Sequence, residues 1–191
     1  MKKILIILAF CLMITPAHAA QWKLDPGHSA VMFGIKHIFS EVRGVFHDLE
    51  LDMEFDPARP GLGRIAFTVK TKSVNTFNHK RDQHLRSPDF FHTSRFPRMD
   101  FVSNRITDLG NNRYQVNGEL TVKGKTRDIS VTLVYLGQTA NPFNPAQQVA
   151  GFETRFEINR LDYGVGNGKF YEMGVVDKTV AVLVSVEVFK Q

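Results

Sequence analysis

The sequence contains a single cysteine, Cys11, among its 191 residues. This cysteine lies inside an apolar run near the N-terminus, so a chain that has lost this run could form no disulfide, even in an oxidising compartment. The stability of the remaining chain would then depend on packing. Tryptophan is also scarce, with one residue, and tyrosine occurs four times, whereas there are 16 phenylalanines.

No apolar run reaches the roughly 20 residues that a membrane-spanning helix needs. The run from Ile4 to Ile14 is shorter, follows Lys2 and Lys3, and precedes Ala17-His18-Ala19. This order of charged, apolar and small residues is typical of a secretory signal peptide. We therefore predict a signal peptide over residues 1–19, one domain over residues 20–191, and export to the periplasm.

Sequence motifs of common enzymes are absent as well. The chain has no serine nucleophile elbow, no phosphate-binding glycine loop and no dinucleotide fingerprint. Its histidines show no metal-ligand spacing, since His79 and His84 are five residues apart and would lie on different helix faces. We predict no cofactor, no metal site and no catalytic residues, although the sequence leaves open a metal site assembled from separate strands.

Positive charge is modest and local. Removal of Lys2 and Lys3 with the signal leaves 22 of the 24 basic residues against 19 acidic ones. Between His79 and Arg98 there are five basic residues and two acidic ones. Such a segment could attract an anionic head group or make transient contact with a membrane surface, whereas the charge is too small to predict nucleic-acid binding.

Alternation of apolar and polar residues is the dominant pattern, and it indicates strands that bury one face of an antiparallel sheet. The segments with this pattern, together with a strand predicted around Met99–Ile106, number about eight, which is enough to close a barrel around one small ligand. A β-sandwich would show the same pattern. The apolar positions are Val31, Phe33, Ile35; Leu49, Leu51, Met53, Phe55; Ile65, Phe67, Val69; Tyr114, Val116, Leu120, Val122; Ile129, Val131, Leu133, Tyr135; Ala150, Phe152, Phe156, Ile158; and Val180, Val182, Val184, Val186, Val188.

A basic, helix-capable insert interrupts the strand pattern. Phe77, Arg81 and Leu85 are spaced four apart, which predicts a short helix from about Asn78 to Leu85 with these side chains on one face. Ser87 and Pro88 predict a second helical start just before Phe90 and Phe91. Further along, Gly164–Gly168 predicts a mobile loop with no helix after it, and Phe170 is expected at the barrel rim.

The insert also carries a family resemblance. Its run Arg81-Asp82-Gln83-His84-Leu85-Arg86-Ser87-Pro88-Asp89-Phe90-Phe91 resembles the signature of the YceI family. Weaker pieces of the resemblance lie along nearly the whole of residues 20–191, and His92 departs from it. These pieces are Ser29, Ile35-Lys36-His37, Gly44 and Phe46, Phe96-Pro97, Phe101, Gly118 with Leu120-Thr121, Lys123-Gly124 and the final valine-rich strand.

The resemblance implies an all-β, eight-stranded, lipocalin-like antiparallel barrel with a short helical insert between strands 3 and 4. It also implies a binding protein that holds a polyisoprenoid or another long-chain isoprenoid or fatty-acyl lipid. Arg81, His84 and Arg86 are the candidate head-group contacts because guanidinium groups match anionic oxygens. The predicted ligand contacts are Phe33, Ile35, Phe67, Val69, Arg81, His84, Arg86, Phe90, Phe91, Phe101, Phe152, Phe156, Phe170 and Val182.

Two other functions stay open. One is an enzyme acting on such a lipid, with Asp82, His84 or Arg86 as acid, base or anion stabiliser. The other is a protein-interaction module whose barrel is filled by its own side chains. The sequence does not separate transport from storage or a stress role, and exposed edge strands of an incompletely closed barrel would allow a homodimer.

Overall fold

The computed structural model describes residues 20–191, so the predicted signal peptide lies outside the described residues. None of the helices in this part of the chain is long and apolar enough to cross a membrane. The strands are β1 (Gln21–His37), β2 (Ser40–Phe46), β3 (Leu49–Glu54), β4 (Arg64–Lys70), β5 (Arg98–Asp108), β6 (Arg113–Val122), β7 (Lys125–Asn141), β8 (Asn144–Asn159) and β9 (Val176–Lys190). The α-helices are α1 (His79–Arg86) and α2 (Lys169–Glu172).

The nine strands form one antiparallel sheet that closes on itself. Neighbouring strands pair in the order β2-β1-β3-β4-β5-β6-β7-β8-β9, and β9 returns to β1. β2 pairs with the second half of β1, and β3 pairs with the first residues of β1. β2 and β3 therefore lie along the same edge of β1 and together occupy one strand position in the barrel wall. The result is a closed barrel with eight strand positions, which confirms the predicted all-β fold and rules out the sandwich.

Alternation along each strand produces the barrel interior. On β9, Val180, Val182, Val184 and Val186 face inward, whereas Ala181 between them is exposed. β-Branched side chains suit this position because they favour extended backbone and pack well on a pleated surface. The inward rows of the other strands meet them in a single core that includes Phe46, Ile65 and Val116.

Aromatic side chains close one end of the barrel. The ring of Phe55 makes edge contacts with the rings of Tyr114 and Phe152, at centroid distances of 5.0 and 5.5 Å. Trp22 packs on Phe152 at 6.2 Å and donates a hydrogen bond from Nε1 to the carbonyl oxygen of Phe55 at 2.9 Å. Phe55 and Phe152 are at most 1% exposed, so this floor is densely packed.

Two connecting segments cover the opposite end. One runs from β4 to β5 and contains α1, as predicted for the insert between the third and fourth strand positions. Asn78 caps α1 by accepting a hydrogen bond from the Arg81 N–H at 3.0 Å. The other runs from β8 to β9 and contains a short 3₁₀ helix at Arg160–Tyr163, followed by α2.

Three local predictions in these segments are wrong. Phe77 precedes the cap of α1, has a φ of +61° and is 83% exposed, so it shares no apolar face with Leu85. Ser87 starts no helix and instead caps the C-terminal end of α1. The N–H groups of Phe90 and His92 both donate to the carbonyl oxygen of Ser87, and these hydrogen bonds form a turn. A helix, α2, does follow the Gly164–Gly168 loop.

Candidate functional site

A cavity of about 200 Å³ lies inside the barrel between the aromatic floor and the covering segments. Its exposed lining is entirely apolar. The apolar side chains come from all nine strands, from the turn after α1 and from the segment between β8 and β9. The lining residues are Val31, Phe33, Phe46, Leu51, Met53, Ile65, Phe67, Val69, Phe91, Met99, Asp100, Phe101, Val116, Leu120, Val122, Ile129, Val131, Leu133, Phe152, Thr154, Phe156, Ile158, Arg160, Tyr163, Val165, Val180, Val182, Val184 and Val186.

The structure separates the predicted ligand contacts into two groups. Those that line the cavity are Phe33, Phe67, Val69, Phe91, Phe101, Phe152, Phe156 and Val182. Those that lie outside the lining are Ile35, Arg81, His84, Arg86, Phe90 and Phe170. The first group is apolar and comes from inward-facing strand positions and Phe91, whereas the second holds every predicted head-group contact.

The two arginines of α1 are engaged with the chain itself. Arg81 donates from Nε to the Thr76 hydroxyl at 2.8 Å and from Nη2 to the Thr76 carbonyl at 2.7 Å. Arg86 donates to the carbonyl oxygens of Lys72 at 3.0 Å and Val74 at 2.6 Å. Both side chains therefore fasten α1 to the segment between β4 and the helix.

His84 belongs to the covering layer. Its Nε2 atom lies 3.2 Å from a carboxylate oxygen of Asp89, and both side chains are exposed. Its ring contacts the rings of Phe90 at 4.9 Å and Phe170 at 6.3 Å. Phe90 in turn belongs to a small second core with Val122 and other residues. His84, Phe90 and Phe170 thus join the two covering segments above the cavity.

Arg160 is a functional candidate that the sequence reading missed. It is 5% exposed and lines the cavity, and its guanidinium donates to the carbonyl oxygens of Val165 at 2.7 Å and Asp177 at 2.8 Å. No carboxylate within the described residues forms an ion pair with it. Burial lowers the pKa of Arg160, and the negative charge of Asp177 acts in the opposite direction. A buried cation without an ionic partner is a suitable contact for an anion.

A second missed residue, Thr154, lies on the same row of β8. Every second residue along this part of β8 lines the cavity, namely Phe152, Thr154, Phe156 and Ile158. Arg160, two residues after Ile158, continues the alternation just beyond the strand. The alternation of the sequence therefore contained the signal for both polar residues. A pattern of apolar residues alone does not predict polar residues in the interior.

Outside the barrel, one cluster has metal-ligand chemistry. Asp25, His28 and Glu187 each place one potential ligand atom within 4.8 Å of the others. They surround an irregularity where β1 carries extra residues against β9, and Ser29 fills the gap by accepting from the Glu187 N–H at 3.1 Å. His28 and Glu187 are exposed, and Asp25 pairs with His28 at 2.8 Å, so an ion pair already accounts for this arrangement.

Within residues 20–191, the histidine–carboxylate pairs lie at the surface. The histidines that contact carboxylates are His28, which pairs with Asp25, and His84, which pairs with Asp89. None of these four residues lines the cavity. The cavity surface is therefore apolar, and two polar residues, Thr154 and Arg160, take part in its lining.

Comparisons with known proteins identify relatives of the whole domain. The model of the YceI-like domain matches residues 22–188. Protein YceI of Escherichia coli O157:H7 is 31% identical over 197 aligned positions, which cover 100% of both proteins. The crystal structure of Burkholderia cenocepacia BcnA superposes with a TM-score of 0.77 at 25% identity, covering 86% of this chain and 98% of that protein.

A third protein of known structure shares the fold at lower sequence similarity. It is described as a polyisoprenoid binding domain from Saccharophagus degradans, with a TM-score of 0.64 and 14% identity, covering 92% of this chain and 100% of that domain. The domain match and the full-length similarity to the Escherichia coli protein show that this chain belongs to the YceI-like family.

Proposed function

We propose that this protein binds the apolar chain of a polyisoprenoid or similar long-chain lipid inside its barrel, without chemical change to the lipid. The observation that carries the proposal is a cavity inside the barrel whose exposed lining is apolar. A core filled by its own side chains would leave no such space, because protein interiors normally pack with few voids larger than a water molecule. The description of the Saccharophagus relative as a polyisoprenoid binding domain supports the same ligand class.

The dimensions favour a single chain. Phe152 at the floor and Ile158 near the covered end are six residues apart on β8, which is about 20 Å along the strand and about 15 Å along the axis of a tilted barrel. The volume of about 200 Å³ is below the roughly 300–1000 Å³ typical of ligand pockets. A long prenyl or acyl chain would therefore fill the interior and then protrude or widen it.

For the head group we favour Arg160 over the predicted Arg81 and Arg86. All three arginines donate to carbonyl oxygens of the chain, but Arg160 lines the cavity, whereas Arg81 and Arg86 lie outside its lining. His84 could contact a head group that protrudes through the covering layer. The contact of the other predicted residues with ligand, a transient membrane contact and a homodimer all stay predictions.

A binding role is favoured over catalysis because the histidine–carboxylate pairs of residues 20–191 lie outside the cavity. We also infer that the protein acts in the periplasm, since residues 1–19 have the order of a signal peptide. Fractionation of cells that express the full chain, with N-terminal sequencing of the product, tests this location. Recovery of the uncleaved chain from the cytoplasm would contradict it.

Titration with saturated fatty acids of increasing length tests the binding proposal. Each buried methylene contributes about 0.8 kcal/mol, so affinity should rise about fourfold per methylene and level off once the cavity is full. Val182→Trp fills the cavity and should abolish binding. Ala181→Trp is the matched control, because its exposed neighbouring position points away from the cavity.

Thermal unfolding of both variants shows whether they fold. If Val182→Trp does not fold, Val131→Phe blocks the cavity from β7 with a smaller increase in volume. Equal binding by wild type and a folded cavity-filling variant would contradict the proposal, and so would an affinity that is independent of chain length.

A further inference from the structure

The hydroxyl of Thr154 is buried in the barrel and lacks a hydrogen-bond partner. Its Oγ1 atom makes no hydrogen bond with any of the residues from 20 to 191, and the residue is 8% exposed. It lies on β8 between Leu133 of β7 and Val184 of β9. Along β8 its inward-facing neighbours are Phe152 and Phe156. Thr154 thus lines the cavity, and its buried hydroxyl lies among apolar side chains.

The fold itself does not require this hydroxyl. Valine has nearly the same shape as threonine and an equal preference for strands. The adjacent inward row of β9 uses valine at every position from Val180 to Val186. A buried hydroxyl without a partner is unfavourable compared with an apolar group of the same shape. Threonine at position 154 therefore makes the empty barrel less stable than valine would, and it makes no hydrogen bond that compensates for this loss.

We propose that Thr154 is a specificity-determining residue that hydrogen-bonds a neutral polar group of the bound lipid deep inside the barrel. This inference rests on the proposed lipid-binding function. The group would be a hydroxyl, carbonyl or amide, because a charged group would not be stable at a position that offers one hydroxyl among apolar side chains. The preferred ligand is then a long chain with a polar substituent, rather than a plain hydrocarbon tail.

The position of Thr154 sets the place of that substituent. Thr154 and Arg160 are six residues apart, which corresponds to about 15 Å along the axis of a tilted barrel. An amphiphile with an acidic head at Arg160 would reach Thr154 with the far part of its chain. A neutral amphiphile that entered head first would reach Thr154 with its head group. The dependence of affinity on substituent position distinguishes these two orientations.

The test uses stearic acid, stearamide and a series of stearic acids with one hydroxyl moved stepwise along the chain. Affinities are measured for the wild type, Thr154→Val, Thr154→Ser and Thr139→Val. Thr139→Val is the matched control, because Thr139 is exposed on β7. The wild type should prefer stearamide or one hydroxyl position over stearic acid by about tenfold, in line with one buried hydrogen bond.

Thr154→Val should lose this preference and bind stearic acid at least as tightly as the wild type does, whereas Thr154→Ser and Thr139→Val should keep the preference. In the absence of lipid, Thr154→Val should also unfold at a higher temperature than the wild type. A preference that survives Thr154→Val, or no preference in the wild type, would overturn the role of Thr154 but leave lipid binding intact. Failure of every chain, stearic acid included, to bind would overturn both proposals.

Discussion

The carboxylate of Asp82 accepts two hydrogen bonds from Thr76, one from the backbone N–H at 2.8 Å and one from the hydroxyl at 2.6 Å. Both residues are buried. Asp82→Ala should lower the free energy of unfolding by about 2–4 kcal/mol, because hydrogen bonds to charged groups are stronger than neutral ones and the Thr76 N–H would lose its acceptor. Urea denaturation measures this change.

Asp89→Ala is the control for this prediction, since Asp89 lies in the same segment and its side chain is 74% exposed. Its pair with His84 is at the surface, so we expect a loss below about 1 kcal/mol. Equal losses for the two variants would contradict the view that Asp82 fastens α1 to the segment between β4 and the helix.

The Gly164–Gly168 loop should tolerate no side chain at Gly166. The φ of Gly166 is +83°, and a Cβ atom at this residue would overlap Nη1 of Arg160. Gly110 has a similar φ of +77° but open space around it. Gly110→Ala should cost about 1–2 kcal/mol from backbone strain alone. Gly166→Ala should cost more than Gly110→Ala in urea denaturation, and similar values would show that the loop does not pack on Arg160.

The aromatic floor should be a major source of stability. Phe152→Ala should reduce the free energy of unfolding by about 3–5 kcal/mol, because it removes a fully buried ring and leaves a cavity. Phe143→Ala is the control, because Phe143 is 98% exposed on the turn between β7 and β8. Its free energy of unfolding should change by less than about 0.5 kcal/mol. A loss below about 1 kcal/mol for Phe152→Ala would indicate a floor that is not closely packed.

The ion pair beside the β1–β9 irregularity should respond to pH. The hydrogen bond with Asp25 raises the pKa of His28 above its ordinary value of 6.5, and the nearby Glu187 acts in the same direction. The same hydrogen bond lowers the pKa of Asp25 below 3.8, against the effect of its partial burial. The contribution of His28 to stability is therefore complete below pH 6.5 and disappears as the pH rises through its raised pKa.

The contribution of Asp25 is present above pH 3.8 and disappears as the pH falls through its lowered pKa. NMR titration of the His28 ring checks this account. We expect a midpoint above 6.5 in the wild type and a midpoint closer to 6.5 in Asp25→Asn. An unchanged midpoint in Asp25→Asn would show that the pair does not form in solution.

The strands could be predicted from the sequence because an apolar side chain at every second position is a local signal of one buried face. The floor residues Phe55 and Phe152 followed from that signal. The roles of the arginines could not be predicted in this way. Arg86 donates to carbonyl oxygens and lies outside the cavity lining, whereas Arg160 donates to carbonyl oxygens and also lines the cavity. These contacts depend on backbone atoms that only the folded chain brings near.

Contacts between distant parts of the sequence were equally inaccessible. Ser29 accepts a hydrogen bond from Glu187, 158 residues away, where β1 carries extra residues against β9. Nothing in the local sequence around Ser29 specifies that partner. Thr154 differs from Ser29, because the alternation along β8 is enough to predict that position 154 faces inward. Its polar side chain is the reason that a pattern of apolar residues leaves it out.

Native mass spectrometry of the protein purified from the cells that naturally produce it, with organic extraction of any bound molecule, tests the central claim most directly. We predict one long-chain lipid per barrel, with a polar substituent on the chain or a neutral polar head group. A protein that is empty on purification and binds neither prenyl nor fatty-acyl chains on titration would contradict the lipid-binding function.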